Sequence, residues 1–351
     1  MKHLLSLRSH PVEKQGIISR DFSLWIRGIC CLLVVIHHYA NLYESVAEYT
    51  PVIWKIFSSI GGFLGVGVFF FLSGYGVTES SKSKLLTFSQ ILKQRYWKLL
   101  WPILIVNSIY LIYRYLTFST IDIPNHDPSY YGINLKGVDR ALWFVEVLFY
   151  CYALFYIYCW IGNCIRKSDS NIKLVRFWNH SGRLIVQGLF FLGLAVIVNH
   201  LYPDKFWYYI NVPMFWLGII YSEYRNEISK WMTPLITLLM FGLVLGITVF
   251  FCFVYYIDLS HMGYGLACVI LIIGLSRKYY ITTAYNSLLG IISMEIYITH
   301  YKLLQLLSAD RTIIPSFWLF LVSSILIGLI FYIAFSLSVP RLSKNKDRSI
   351  S

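Results

Sequence analysis

Charge is what this sequence has least of. Only 13% of its 351 residues are Asp, Glu, Lys or Arg, about half of what a soluble domain of this size carries. A soluble globular enzyme is therefore excluded. Paired cysteines are missing as well. The seven cysteines (Cys30, Cys31, Cys151, Cys159, Cys164, Cys252 and Cys268) lie in or at the ends of apolar runs, and none forms a CxxC pair. That pattern fits buried thiols and argues against a metal centre or a disulfide framework. There is no low-complexity segment and no internal repeat. No small-residue cleavage site follows the first apolar run, so a removable signal peptide is not expected. Acidic residues are outnumbered, 17 against 30 basic, for a net charge of +13. Such an excess can mark a nucleic-acid binder. Here the basic residues fall in alternate loops between apolar runs, which is the pattern of membrane topology.

What fills the chain is apolar: 57% hydrophobic and 18% aromatic. Runs of about 20 apolar residues recur from end to end, each long enough to cross a bilayer. The reading is an all-α polytopic membrane protein with about ten transmembrane helices. The spans fall near 22–43, 56–79, 97–118, 140–162, 184–201, 206–223, 231–257, 261–276, 286–308 and 314–338. Three basic residues lie within spans (Arg27, Arg114, Lys302) and five in alternate loops (Lys55, Lys136, Arg140, Lys205, Arg311), leaving 22 of the 30 on the other side. The positive-inside rule then sets both termini in the cytoplasm. Residues 1–21 form a basic cytoplasmic tail, 22–339 a single membrane domain, and 340–351 a second basic tail.

Several spans carry groups that are costly to place in hydrocarbon. Arg27 and His38 share the first span, eleven residues apart. Eleven steps of about 100° bring both side chains to one face, about 16 Å apart along the axis. His37 lies about 100° away and is the reserve candidate. With orientation assigned, His38, His300 and Glu146 reach a similar depth, about 21 Å above the cytoplasmic edge. Three ionisable groups at one level suit proton transfer. A lower layer holds Arg27, the phrase Phe69-Phe70-Phe71-Leu72-Ser73-Gly74-Tyr75-Gly76, and Arg95 with Lys98. Cations facing the cytosol suit a phosphate-bearing ligand. The bland readings are small-residue helix packing for Gly74 and Gly76, and positive-inside anchoring for Arg95 and Lys98. His261 and His200 sit near outer helix ends, where snorkelling accounts for them. Glu295 falls on a different face from His300 and is a possible partner for Arg27. Tyr130, Tyr131 and Trp207 could stack on a sugar or form part of an aromatic belt.

Together these residues resemble the integral-membrane acyltransferase-3 family, bacterial O-acyltransferases that modify cell-surface polysaccharides. The first signature, an arginine, ten residues and a histidine, stands here as Arg27 and His38. The second, close to FFxxSGY, is Phe69 to Tyr75. A basic pair three residues apart is Arg95 and Lys98, with lysine where many members carry arginine. Trp143-Phe144-Val145-Glu146 and Ser293 to His300 resemble two later elements. The resemblance implies acyl transfer, acetyl by default, from cytoplasmic acetyl-CoA or another acyl-CoA to a hydroxyl of a polysaccharide or glycoside. It implies a multi-pass protein of the bacterial plasma (inner) membrane, no metal and no nucleic acid. Arg27, Ser73, Arg95 and Lys98 would hold the donor. His38 would act as general base or as an acylated intermediate, Glu146 would orient it, and His300 would be a second base or an acceptor ligand. The competing class is a proton-coupled transporter or glycan flippase built on the same intramembrane Arg, His and Glu groups. The missing repeat argues against that class.

Overall fold

A computed structural model describes residues 6–9, 17–83, 87–118, 143–167, 182–201, 208–253, 257–282, 284–308 and 313–338. The protein is a bundle of helices. Helix α1 (Arg20–Val46) is capped by the Ser19 hydroxyl, which accepts the amide N–H of Phe22 at 3.1 Å. A short α2 (Val52–Ile56) runs through a π-helical turn, Phe57–Gly61, into α3 (Gly62–Ser83). A second π turn, Leu92–Tyr96, joins α4 (Phe88–Ile91) to α5 (Trp97–Phe118). Then follow α6 (Trp143–Lys167), α7 (Arg183–Leu201), α8 (Val212–Trp231), α9 (Pro234–Phe253) and α10 (Ile257–Lys278). The last predicted pair contains α11 (Ala284–Ile291), α12 (Ser293–Leu307) and α13 (Phe317–Ser338).

Each of the ten predicted spans carries a helix. Seven stretches, starting at Arg20, Val52, Leu99, Trp143, Arg183, Pro234 and Phe317, are long and apolar enough to cross a membrane, and Ser260–Ser276 is a shorter apolar helix. The ninth predicted span is broken. Ile292 adopts φ −89°, ψ 5° between α11 and α12, so 286–308 is two helices. The N-terminal segment carries a strand as well: Ser6–Ser9 (β1) pairs antiparallel with Tyr279–Thr282 (β2). This pairing sets the N-terminus and the α10–α11 connection on one side of the bundle.

Helices α1, α3, α8 and α12 form the interior. Val35, Phe70, Phe71, Phe215, Ile219 and Ile296 are all fully buried there. The rim is apolar but exposed, as on Leu238, Leu243 and Phe250 of α9 and Trp318, Leu326 and Ile330 of α13. An exposed apolar rim around a packed interior is the arrangement for a protein whose solvent is lipid. Helices α3 and α8 cross closely. A Cβ on Gly74 would stand 2.0 Å from the Phe215 carbonyl oxygen, and one on Gly218 would stand 2.1 Å from that of Phe71. Small residues let the two backbones touch. Gly74 therefore serves helix packing, whereas a Cβ on Gly76 would meet nothing closer than Arg95 Nη1 at 3.8 Å.

Helices α1 and α12 run parallel and in register. The Cys31 thiol donates to the Ser293 carbonyl at 3.2 Å, across 262 residues. His38 and His300, separated by the same 262 positions, have ring centroids 5.1 Å apart. Positions on α12 can therefore be read against α1 one for one.

Candidate active site

Away from the β ribbon, the second half of α1 opens onto a cavity of about 730 Å³. The first π turn, the start of α10 and the second half of α12 complete its wall. Its rings are Phe63, Trp143, Tyr264, Tyr297 and Tyr301, and its hydrogen-bonding groups include Asn41, Ser260 and Gln305. His37, His38, His261 and Glu44 supply the ionisable groups; among the described residues no Lys or Arg lines it.

The two adjacent histidines differ in their surroundings. His37 has both ring nitrogens engaged. Nδ1 faces the Phe57 carbonyl at 3.0 Å and must carry the proton, since a carbonyl only accepts. Nε2 lies 3.0 Å from the Asn41 amide nitrogen, which donates to it. A Cβ on Gly62 would sit 2.6 Å from this ring, so glycine makes room for it. His37 thus ties α1 to the π turn. His38 faces inward, with its ring centroid 5.1 Å from that of Tyr301 and at the same distance from His300.

His300 is fully buried. Its Nδ1 lies 3.1 Å from the Ile296 carbonyl and 2.8 Å from that of Tyr297. Both partners are acceptors, so Nδ1 carries a proton. Two backbone carbonyls hold one tautomer in a fixed orientation, as a proton-transfer group requires.

His261 corrects the sequence reading. It does not simply snorkel at a helix end: it lines the cavity, donates Nε2–H to the Ser59 carbonyl at 3.0 Å, and stacks on Phe63 with centroids 3.8 Å apart.

Glu146 is buried on α6, one turn from the cavity residue Trp143. Its Oε1 accepts from the Tyr150 hydroxyl at 2.9 Å, and its carboxylate is close enough to Tyr96 to interact electrostatically. Phe144 packs on Tyr297 at 4.4 Å, which links this end of α6 to the histidine helix.

The second cluster lies at the opposite end of α1, on the side of the β ribbon. Arg27 and Arg95 are close enough to repel one another, and Tyr152 interacts with both. The Tyr152 and Ser73 hydroxyls hydrogen-bond each other. Arg95 donates to the Gly76 carbonyl at 3.0 Å and to the Ser80 hydroxyl. Lys98 lies on the first turn of α5; its side chain lies outside the described residues. Tyr152 is the member that sequence reasoning missed. It is one of 28 tyrosines, and only its position, about 9 Å deeper along α6 than Glu146, could have signalled its level.

Other cations on this side are paired. Arg225 bonds Glu79 at 3.1 Å, Lys82 bonds the same carboxylate at 2.6 Å, and Arg183 bonds Glu223. Among the described residues no carboxylate pairs with Arg27 or Arg95, and the suggested Arg27–Glu295 pair does not form. Two neighbouring guanidiniums with reduced access to water and no counter-ion are expensive unless an anion joins them. The described residues hold no His/Cys/Asp/Glu group suited to a metal. Tyr130, Tyr131 and Trp207 lie outside the described residues.

The bundle thus has a histidine-lined cavity at one end of α1 and, at the other, a guanidinium cluster that has no carboxylate partner among the described residues. A family model described as an acyltransferase domain, that of the acyltransferase-3 family, matches residues 22–338. The chain belongs to that family. Neither a curated protein nor a solved structure matches it.

Proposed function

We propose that this acyltransferase takes an acyl group, acetyl by default, from acyl-CoA bound at the Arg27 end of α1 and transfers it to a hydroxyl of a glycan seated in the His38 cavity. The observation that carries the reading is the pair of guanidiniums, Arg27 and Arg95, without a carboxylate partner among the described residues. A phosphate-rich donor supplies the anion that such a pair lacks, and guanidinium groups match phosphate by paired N–H donors. Lys98 would add a point charge. Ser73 and Tyr152 would add neutral hydrogen bonds. By the positive-inside rule this end and both termini would face the cytosol, where acyl-CoA is found. The resemblance to bacterial O-acyltransferases supports the bacterial plasma membrane as its site.

From the phosphate site the acyl-pantetheine arm would follow α1 for about 16 Å to His38. His38 would remove the proton from the acceptor hydroxyl as its oxygen attacks the thioester carbonyl. The C–S bond breaks, and the thiolate of CoA takes up a proton. His300, its Nδ1–H held by two backbone carbonyls, would relay that proton from His38 to the thiolate. Glu146 would stabilise positive charge near the α6–α12 contact. The cavity's mix of rings, amides and hydroxyls suits a sugar, whose C–H faces stack on aromatics while its hydroxyls hydrogen-bond.

The test is transfer of labelled acetyl from acetyl-CoA in membranes holding the native chain or His38→Ala at matched expression, with glycan and protein fractions counted. Label in glycan only with His38 supports the reading. Label trapped on the protein identifies an acyl-enzyme route. Equal glycan labelling by both proteins removes His38 from the chemistry.

A further inference from the structure

The register between α1 and α12 sets the height of one more group, between the levels of the two clusters. Glu295 is in the first turn of α12, two residues beyond Ser293, which receives the Cys31 thiol at 3.2 Å. It is close enough to Cys31 to interact with it electrostatically. Cys31 is four residues from Arg27 and seven from His38, so all three fall near one face of α1. Read through the 262-residue register, Glu295 stands about 7 Å below the His38–His300 pair and about 9 Å above Arg27. Its Oε2 is buried and has no hydrogen-bond partner among the described residues. A carboxylate oxygen left unbonded away from water is costly unless a ligand satisfies it. Between a phosphate site and a thioester site, the ligand on offer is the pantetheine arm, whose polar groups are amides.

We infer that Glu295 is a donor-positioning residue: its carboxylate accepts an amide N–H of the pantetheine arm and holds the thioester at the height of His38. The inference rests on the acyl-CoA reading above. It gives the buried carboxylate a partner that Arg27 does not provide. It also divides recognition of the donor along α1, with the nucleotide phosphates held by the guanidiniums and the arm by Glu295.

Binding to purified full-length protein, with two probes, tests it. Acetyl-CoA contains the arm; adenosine 3′,5′-bisphosphate carries phosphates without it. Glu295→Leu should bind acetyl-CoA about tenfold more weakly, the loss expected for one hydrogen bond to a charged group, and bind the bisphosphate as the native protein does. Glu295→Gln keeps a carbonyl acceptor and should recover most of the affinity. If the leucine variant fails to fold, Glu295→Ala is judged by the same two probes. Equal acetyl-CoA affinity in all variants overturns the inference, and so does parallel weakening of both probes, which marks a merely structural role. Native protein that binds the bisphosphate as tightly as acetyl-CoA also overturns it. Native protein that binds neither probe overturns the acyl-CoA reading itself, and this inference falls with it.

Discussion

The two ends of α1 solve the problem of polar groups in a membrane in opposite ways. At the cavity end, three histidines are each held by hydrogen bonds within the protein. His37 is held by Phe57 and Asn41, His300 by two carbonyls, and His261 by Ser59. The cavity is roomy and carries little formal charge. At the Arg27 end, two guanidiniums crowd together without a carboxylate among the described residues, although Arg225 and Arg183 each have one. The first end is built before its ligand arrives; the second is completed by its ligand. A preorganised pocket without Lys or Arg among its described lining residues suits chemistry on an uncharged hydroxyl. An uncompensated cation pair suits an anion that must be gripped and released.

Substitutions can break this contrast. The largest effect is expected from His38→Ala. Removing a general base typically costs about 10²- to 10⁴-fold, so transfer to glycan should fall by at least about a hundredfold while acetyl-CoA binding is kept. Arg27→Gln should do the reverse. Losing a charge-assisted contact to phosphate should weaken acetyl-CoA binding by about tenfold or more, with the rate at saturating donor little changed. Calorimetry and initial rates separate the two.

The neighbouring positions sharpen the comparison. Gly74→Ala forces a Cβ to 2.0 Å from the Phe215 carbonyl oxygen, an overpacking that costs about 1–3 kcal/mol or more. Gly76→Ala meets only Arg95 Nη1 at 3.8 Å. Thermal unfolding in detergent should show a lowered Tm for the first and a nearly native Tm for the second. His37→Ala should show the smallest change in chemistry. It removes hydrogen bonds worth about 0.5–1.5 kcal/mol each, so Tm drops while transfer persists well above the His38→Ala level.

The apolar runs made the helices legible because a bilayer demands long uninterrupted stretches. The Arg27–His38 face was legible because helical periodicity alone fixes it. The His38–His300 pairing followed from depth. Other features have no local signal. The break at Ile292 sits inside a continuous apolar run, and the π turns at Phe57–Gly61 and Leu92–Tyr96 leave no mark in hydrophobic periodicity. His261 was misread because its partner, the Ser59 carbonyl, is 202 residues away. Tyr152 was missed because its meaning comes from Ser73, Arg27 and Arg95, on three other helical segments. The β1–β2 pairing joins chain segments more than 260 residues apart, and neither strand is long enough to stand out by alternation.

The most direct measurement pairs acetyl-CoA binding with acetyl transfer on native protein, Arg27→Gln and His38→Ala. The account predicts a crossed result: the arginine variant loses binding, and the histidine variant binds normally but does not transfer. Two variants that lose binding and transfer together, or an arginine variant that binds acetyl-CoA as the native protein does, would contradict a donor site at one end of α1 serving an acceptor cavity at the other.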